Sequence, residues 1–168
     1  RERPDVVLLD VYLGDENGLD HVAAIRAAGF SGPLIVLSGD ASFERAHRAA
    51  INGADGYVVK GELDVIPDLV DCLQYRASAT DGPPEPMPDA AIAYLATRGL
   101  TPLELGLALQ LAQDGASEKE IAARTGRGED EVRAGFEAIR SRLEARSQND
   151  LSRMIGVLSC FGRMRAAR

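Results

Sequence analysis

Three polar residues in the first half of the sequence could together perform phosphoryl transfer. They are Asp10, Ser38 and Lys60, which come directly after the apolar runs at residues 6–9, 34–37 and 57–59. A carboxylate can attack an activated phosphoryl group and hold it as an aspartyl phosphate. A hydroxyl can donate a hydrogen bond to a phosphoryl oxygen, and an ammonium can neutralise its charge. Each residue alone is more often a turn former, a cap or a solvated side chain, so the combination is what indicates this chemistry.

The three apolar runs alternate with helical patterns over residues 19–28, 42–52 and 64–76. Alternating strands and helices predict parallel strands covered by helices on both faces. In an open sheet of this kind, ligands bind beyond the carboxyl ends of the strands. Asp10, Ser38 and Lys60 all follow such ends, so we expect them to lie together at one edge of the sheet.

A proline-rich stretch, ASATDGPPEPMPDA at residues 77–90, separates two parts of the chain. Four prolines and few large apolar side chains cannot support a packed element, so the stretch predicts a linker. Asp89 could cap a short helix that continues to Arg98, and Thr101 with Pro102 predicts the start of a longer one. The predicted organisation is residues 1–76 as one domain, residues 77–100 as a linker with a short helix, and residues 101–168 as a second domain.

Residues 101–168 show four helical patterns. Gly115 is expected to end the first helix, and SEKE at residues 117–120 is a capping box that starts the second. A tight turn over residues 125–128 leads to the third. The apolar faces of the third and fourth helices comprise Val132, Phe136, Ile139 and Leu143, then Leu151, Met154, Ile155 and Leu158. Short helices with a tight turn between the second and third predict a helix-turn-helix unit, in which the last apolar stripe serves either the core or a dimer contact.

Charge is distributed unevenly within a formal net charge of −7. Residues 1–80 contain 7 basic and 13 acidic side chains, whereas residues 101–168 contain 11 basic and 10 acidic ones. The acidic first part argues against a nucleic-acid coat protein, whereas the arginine-rich second part is compatible with nucleic-acid binding. No apolar run is long enough to cross a bilayer and no signal-peptide pattern is present, so we expect a cytoplasmic protein with no membrane partner.

The cysteines and histidines show no catalytic or metal-binding spacing. Cys72 and Cys160 are far apart within helical patterns, which indicates reduced, partly buried thiols. His21 and His47 are interpreted as surface or packing residues. These four residues therefore predict no metal site.

The first part resembles the C-terminal three-fifths of a response-regulator receiver domain. The segments VVLLDVYLGDENGLD, PLIVLSGD and GADGYVVKG are similar to the phosphoacceptor strand with its loop, the strand ending in Ser or Thr, and the strand ending in Lys of that family. The resemblance implies a partial flavodoxin-like α/β fold and a phosphoryl group that Asp10 accepts from a sensor histidine kinase. It also implies that Ser38 and Lys60 contact this group and that Tyr57 is the aromatic switch residue. The metal ligands it implies for Mg²⁺ are Asp10 and the backbone carbonyl of Tyr12.

Two departures from the receiver pattern affect these expectations. Gly14 stands where the family usually has Pro, which loosens the loop. The acidic pair that the family places on its first strand has no counterpart in this sequence. We therefore expect Mg²⁺ to bind well only in a complete receiver domain. We also expect either that an N-terminal segment is missing from this sequence or that the open edge at residues 6–9 pairs with another chain.

An enzyme of the haloacid-dehalogenase type is the alternative for the first part, because such phosphohydrolases also place Asp, Ser or Thr and Lys at strand ends. That family needs a second acid two residues after the nucleophile, where this sequence has Tyr12. A turnover enzyme is therefore disfavoured.

The second part resembles the DNA-binding module of LuxR/NarL-type regulators. The resemblance rests on LTPLELGLALQLAQDGASEKEIAARTG and on EVRAGFEAIRSRL at the expected spacing. It implies a transcription regulator that binds duplex DNA as a homodimer. The residues predicted to contact DNA are Arg127, Arg133, Glu137 and Arg140.

The charges of the predicted reading helix leave a second function open. Glu129, Asp130 and Glu131 at its start suit the helix dipole but repel a DNA backbone. Glu137 could still accept a hydrogen bond from a cytosine amino group. The alternative is an atypical response regulator whose C-terminal domain binds a protein partner rather than DNA.

Overall fold

The computed structural model describes residues 4–67, 69, 70, 73, 86–114 and 116–166. By its internal contacts the chain divides into two compact units, residues 1–81 and residues 82–168. The predicted domain boundaries at residues 76 and 101 stay a prediction, and residues 77–85 of the predicted linker lie outside the described residues. No helix of the described residues is long and apolar enough to cross a membrane.

The first unit is built on a parallel sheet, which confirms the predicted fold class. Its strands are β1 (Val7–Asp10), β2 (Tyr12–Leu13), β3 (Glu16–Asn17), β4 (Leu34–Ser38) and β5 (Gly56–Val59). Strands β1, β4 and β5 form a three-stranded parallel sheet in the order β1-β4-β5, and β2 pairs with β3 in a short antiparallel hairpin. Central strand β4 is the most deeply buried, with Leu34, Ile35 and Val36 at 0% exposure.

Two complete helices of the first unit, α1 (Gly18–Ala27) and α2 (Phe43–Asn52), connect these strands. The side chain of Asn17 caps α1 and that of Ser42 caps α2, and Gly53 ends α2 in the left-handed conformation. After β5, residues 63–65 form a 3₁₀ turn and residues 66, 67, 69, 70 and 73 are helical. Asp64, the first residue of the predicted helical pattern 64–76, therefore lies inside the 3₁₀ turn.

Strand β1 forms an edge of the sheet. Among the described residues its only strand partner is β4, and Leu8 is 48% exposed on it. The open edge expected at residues 6–9 is therefore present in this part of the chain.

Arg26 forms hydrogen bonds with several loops at the amino ends of the strands, away from the predicted site. Its guanidinium donates to the carbonyl oxygens of Gly53, Phe30 and Gly32 at 2.9, 3.0 and 2.8 Å. It also pairs with the carboxylate of Asp55, which accepts the backbone N–H of Leu34 at 3.0 Å. One half-buried arginine thus satisfies several backbone carbonyls that would otherwise lack a donor.

The second unit is helical. Its described elements are α3 (Asp89–Thr97), α4 (Pro102–Asp114), α5 (Glu118–Thr125), α6 (Glu129–Leu143) and α7 (Gln148–Ala166). The capping box at Ser117 and Glu120 is confirmed, and Gly126 at φ +67° makes the tight turn between α5 and α6. Gly115, which was expected to end α4, lies outside the described residues. The predicted helix-turn-helix is confirmed as α5 and α6.

Close packing of the helices explains several residues of the second unit. A Cβ added at Gly135 of α6 would lie 2.4 Å from the Cδ1 atom of Leu107, so this glycine lets α6 approach α4. Glu104 accepts the backbone N–H of Thr101 at 2.7 Å and pairs with Arg142 at 2.9 Å, which fixes the start of α4 against α6. The apolar stripe of α7 is fully buried within the unit, which assigns it to the core. Its members are Leu151, Met154, Ile155 and Leu158.

Candidate functional site

The carboxyl edge of the sheet brings the predicted phosphoryl-transfer residues together. Asp10 ends β1, Ser38 ends β4 and Lys60 directly follows β5, so the three residues lie at the ends of three neighbouring strands. Backbone hydrogen bonds hold this edge in register, since Lys60 N–H donates to the carbonyl of Ser38 at 2.7 Å and Val11 N–H to that of Leu37 at 2.9 Å. The rigid sheet therefore fixes the spacing of the functional groups.

Asp10 is an ionised, accessible carboxylate with two donors. The Nζ atom of Lys60 lies 2.6 Å from its Oδ2 atom, and the backbone N–H of Tyr12 donates to its Oδ1 atom at 2.9 Å. The Lys60 ammonium, and after it the Tyr12 N–H, hold the pKa of Asp10 below its ordinary value. The Asp10 side chain is 31% exposed, so a reactant from solvent can approach this nucleophile.

Ser38 and Tyr57 lie directly beneath this carboxylate edge. Ser38 is fully buried, and its Oγ atom accepts the backbone N–H of Asp40 at 3.1 Å. Tyr57 is 1% exposed, and its hydroxyl donates to the carbonyl of Asp40 at 2.7 Å. Burial raises the pKa of the Tyr57 hydroxyl, and a hydrogen bond with Ser38 opposes this shift. The two side chains are therefore neighbours, and Tyr57 is in an inward position.

A polar rim, formed by Tyr12, Asp40 and Arg45, lies beside the site. The Nε atom of Arg45 is 2.8 Å from the Oδ2 atom of Asp40, and the Arg45 guanidinium carbon lies 5.8 Å from the centroid of the Tyr12 ring. Sequence reasoning missed Asp40 and Arg45. No spacing rule connects a residue of α2 to the loop after β1, because only the sheet places these two segments side by side.

Gly18 was also missed as part of the site. Its N–H donates to the carbonyl of Val11 at 2.7 Å, and a Cβ at this position would lie 1.9 Å from the backbone oxygen of Asp10. Only glycine allows this approach of α1 to the end of β1. The Asn17-Gly18 pair at which α1 begins is the sequence signal that could have predicted this position.

Gly14 stands where the receiver family usually has Pro, and the local backbone explains this difference. Gly14 makes the turn between β2 and β3 with φ +65°, a conformation that proline cannot adopt. The chain therefore needs a glycine at this position to form the short hairpin beside Asp10.

The donor set at the site is sparse for a magnesium ion. The described residues contain no group of three or more His, Cys, Asp or Glu side chains that could hold a metal. Mg²⁺ usually keeps several waters and binds through one or two carboxylates. Asp10 offers one carboxylate, and Lys60 already pairs with it. The predicted ligand roles of Asp10 and of the Tyr12 carbonyl stay predictions.

The residues predicted to contact DNA lie on α6 and in the turn before it, and their arginines have partners within the unit. The Nη1 atom of Arg133 is 2.9 Å from Asp130, and its Nε atom is 3.7 Å from Glu118. Arg127 pairs with Glu131. Arg140 turns toward α7, where it donates to the side-chain oxygen of Gln148 at 2.9 Å. The structure does not bring the predicted cations into one open basic patch.

Four other exposed charges around α6 lack a partner among the described residues, and one of them is Glu129 at its first position. Glu137 points outward from the middle of the helix, Lys119 lies in the first turn of α5, and Arg146 follows α6. Sequence reasoning missed Lys119, because a lysine within a capping box is ordinarily a solvated residue.

Comparison with known proteins identifies the family of this chain. Residues 1–71 match the response regulator receiver domain. The chain is 30% identical over 155 residues to the nitrate/nitrite response regulator protein NarL of Escherichia coli K12, covering 86% of this chain and 70% of NarL. It is also 34% identical over 56 residues to the cell cycle transcriptional regulator CtrA of Caulobacter vibrioides, covering 33% of this chain and 24% of CtrA.

Among solved structures, the RcsB response regulator of Salmonella typhimurium is similar to 88% of this chain, with 19% identity, a TM-score of 0.41 and 72% of RcsB covered. Full-length FixJ from B. japonicum is similar to 95% of this chain, with 20% identity, a TM-score of 0.37 and 75% of FixJ covered.

The parallel sheet and the match over residues 1–71 assign the first unit to the receiver domains. With its helix-turn-helix unit, the chain belongs to the two-component response regulators of the NarL/LuxR type. This family consists of phosphorylation-controlled transcription regulators rather than enzymes of metabolism.

Proposed function

We propose that this protein accepts a phosphoryl group on Asp10 from a sensor histidine kinase and, in response, binds duplex DNA as a homodimer through its second unit. The observation that carries the first half of the proposal is the 2.6 Å contact between Lys60 and Asp10 at the strand edge that also contains buried Ser38. This contact supports a reaction centre with Asp10 as nucleophile, Lys60 as charge-neutralising cation and Ser38 as hydroxyl donor.

The proposed transfer is an in-line displacement. An oxygen of the Asp10 carboxylate forms a bond to phosphorus while the P–N bond of the kinase's phosphohistidine breaks, and the imidazole nitrogen keeps the bonding electron pair. Lys60, which neutralises Asp10 before transfer, then neutralises the phosphoryl oxygens. The hydroxyl of Ser38 donates to one of these oxygens.

The same residues could pass the signal onward. Ser38 contacts both the backbone of Asp40 and the hydroxyl of Tyr57. If Ser38 turns toward a phosphoryl group, Tyr57 loses a neighbour and its preferred position changes. We propose that this shift alters the surfaces after Ser38 and Lys60, which favours a dimer or releases the DNA-binding unit.

Replacement of Asp10 with Asn tests the phosphoacceptor. We expect the protein with a complete receiver domain to take up a phosphoryl group from a phosphorylated histidine kinase or from acetyl phosphate, measured as an increase in intact mass, and its Asp10→Asn variant to take up none. Asp15→Asn is the matched control, because Asp15 is an exposed carboxylate in the same loop. Equal phosphoryl uptake by Asp10→Asn and the unchanged protein would refute the assignment.

DNA binding is supported by family membership, by the helix-turn-helix and by two exposed cations. Lys119 lines a cleft with Glu129 and Arg133 at the start of α6, whereas Arg146 follows the end of α6. Neither has an ion-pair partner among the residues described. Cations at both ends of a reading helix can grip the phosphates on either side of a groove. CtrA, one of the relatives, is itself named as a transcriptional regulator.

Fluorescence anisotropy with a mixed pool of genomic duplex DNA tests this half of the proposal. We expect binding that weakens steeply with salt, and a salt slope that falls by about one for each of Lys119→Ala and Arg146→Ala. Arg48→Ala is the matched control, since Arg48 is an exposed arginine of α2 in the first unit and its loss should leave the slope unchanged.

The second candidate is an atypical regulator whose C-terminal unit binds a protein partner. The observation that favours it is the acidic first turn of α6, in which the Asp130 side chain is 96% exposed. Absence of DNA binding even at low salt would support this candidate over the first.

A further inference from the structure

The outward face of α6 presents the Glu137 carboxylate between two small residues, and the exposed Asp130 lies in the first turn of the same stripe. Ala134, Glu137 and Ser141 are all exposed and follow each other at three and four residues, so they form one stripe along the helix. The opposite face is fully buried through Val132, Phe136, Ile139 and Leu143. Since the inner face is fixed by the core, Glu137 is the long side chain at the centre of the surface that this second helix of a helix-turn-helix offers to a groove.

Arg133 and Arg140, which could also contact base edges, have partners within the second unit. Arg133 contacts Asp130 and Glu118, and Arg140 contacts Gln148. An arginine reading guanine would first have to leave these partners. Glu137 has no hydrogen bond or ion pair within the described part of the chain, so it can turn toward a base without losing a contact.

A carboxylate selects among bases because it can only accept hydrogen bonds. In the major groove, guanine presents two acceptors, which repel it, and thymine presents an acceptor and a methyl group. Adenine presents one amino donor beside the acceptor N7, which repels the second carboxylate oxygen. Cytosine presents its N4 amino group without an adjacent purine acceptor, so it is the base that a glutamate favours.

The neighbours of Glu137 allow the close approach that such a contact needs. Ala134 and Ser141 add little bulk on either side of it. Lys119 and Arg146 can hold phosphates near the two ends of α6, which offsets the repulsion between the Glu137 carboxylate and the DNA backbone.

We propose that Glu137 is the specificity-determining residue of α6 and that it selects cytosine in the major groove by accepting from the N4 amino group. The inference rests on the proposed DNA binding and deepens it, because it names the base that the helix reads.

Selection of binding sites from a random duplex pool tests the inference, with the unchanged protein, Glu137→Gln and Glu129→Gln compared. For the unchanged protein we expect one position in each half-site to prefer cytosine by about 10-fold or more. Glu137→Gln should lose this preference or replace it with a preference for adenine. A glutamine amide can donate to the N7 atom of adenine and accept from its N6 amino group. Glu129→Gln removes the same charge from the exposed first turn of α6 and should keep the cytosine.

The outcomes separate this inference from the function on which it rests. If Glu137→Gln selects the same site as the unchanged protein, Glu137 does not read a base and the inference is overturned, while DNA binding stands. Equal gains in affinity for Glu137→Gln and Glu129→Gln, with no change of preferred base, would also overturn it, because the carboxylate then only repels DNA. If the unchanged protein binds no duplex at low salt, both the inference and the proposed DNA binding fail.

Discussion

At the scale of single residues, the chemistry of the site depends on one ion pair. Lys60 is the largest cause of the lowered pKa of Asp10, and the N–H of Tyr12 comes second. Because the pKa in the folded protein lies below that of an unfolded chain, ionised Asp10 contributes stability above the ordinary carboxyl pKa. This contribution is lost as the pH falls through the lowered value, so it is constant near neutral pH.

Replacement of Lys60 with Met should raise the pKa of Asp10 toward its ordinary value, because the ammonium is lost while the Tyr12 donor remains. The measurement is an NMR titration of the Asp10 carboxyl carbon. Lys119→Met removes a distant lysine and serves as the control that leaves this titration unchanged. An unaltered Asp10 pKa in Lys60→Met would show that the ion pair does not set the state of the nucleophile.

At the scale of elements, the position of Asp10 depends on how closely α1 approaches β1. The helix begins at Gly18, whose α-carbon faces the backbone oxygen of Asp10. The hairpin of β2 and β3 spans the distance between strand and helix, and Gly14 allows its turn. These two glycines therefore support the site through backbone geometry rather than through side-chain chemistry.

Replacement of Gly18 with Ala should lower the free energy of unfolding by about 1–3 kcal/mol, because the added methyl group has no room beside the Asp10 backbone. Chemical denaturation measures this change, and the rate of phosphoryl uptake should fall with it as Asp10 is displaced. Gly61→Ala is the matched control, since a Cβ at Gly61 meets nothing within 4 Å. Equal stability of the two variants would contradict the close approach.

At the scale of the whole molecule, the chain is two units that each have a core of their own. Met87, Ala91 and Leu95 are buried within the second unit. Helix α3 packs on α7, where a Cβ at Gly162 would lie 3.2 Å from Ala91 and from Pro88. Residues 86–100, which the sequence assigns to the linker, therefore contribute to a packed helical unit.

Two shortened proteins, one starting at residue 86 and one at residue 101, test whether α3 stabilises the second unit. A protein of residues 86–168 should unfold cooperatively on heating, and one of residues 101–168 should be less stable by about 2–5 kcal/mol, because it lacks the buried side chains of α3. Circular dichroism measures both transitions. Equal stability of the two proteins would place the boundary at residue 101, as the sequence predicts.

The sequence by itself determined the parallel strands and the helix-turn-helix, and it predicted that Asp10, Ser38 and Lys60 lie together at one edge of the sheet. These features follow from local patterns, because a strand, a helix or a cap is specified by neighbours a few residues away. The family could be recognised for the same reason.

Tertiary structure alone decided which charges meet. The approach of Arg45 to the Tyr12 ring, the pairing of Arg133 with Glu118 and the approach of Gly18 to Asp10 all depend on how separate elements pack. The helical period identified the outward face of α6 and the i, i+3 spacing of Asp130 and Arg133, but it could not show that Glu118 of α5 also approaches Arg133. An ion pair between two helices leaves no periodic signal in the chain, so only the packing of the helices decides it.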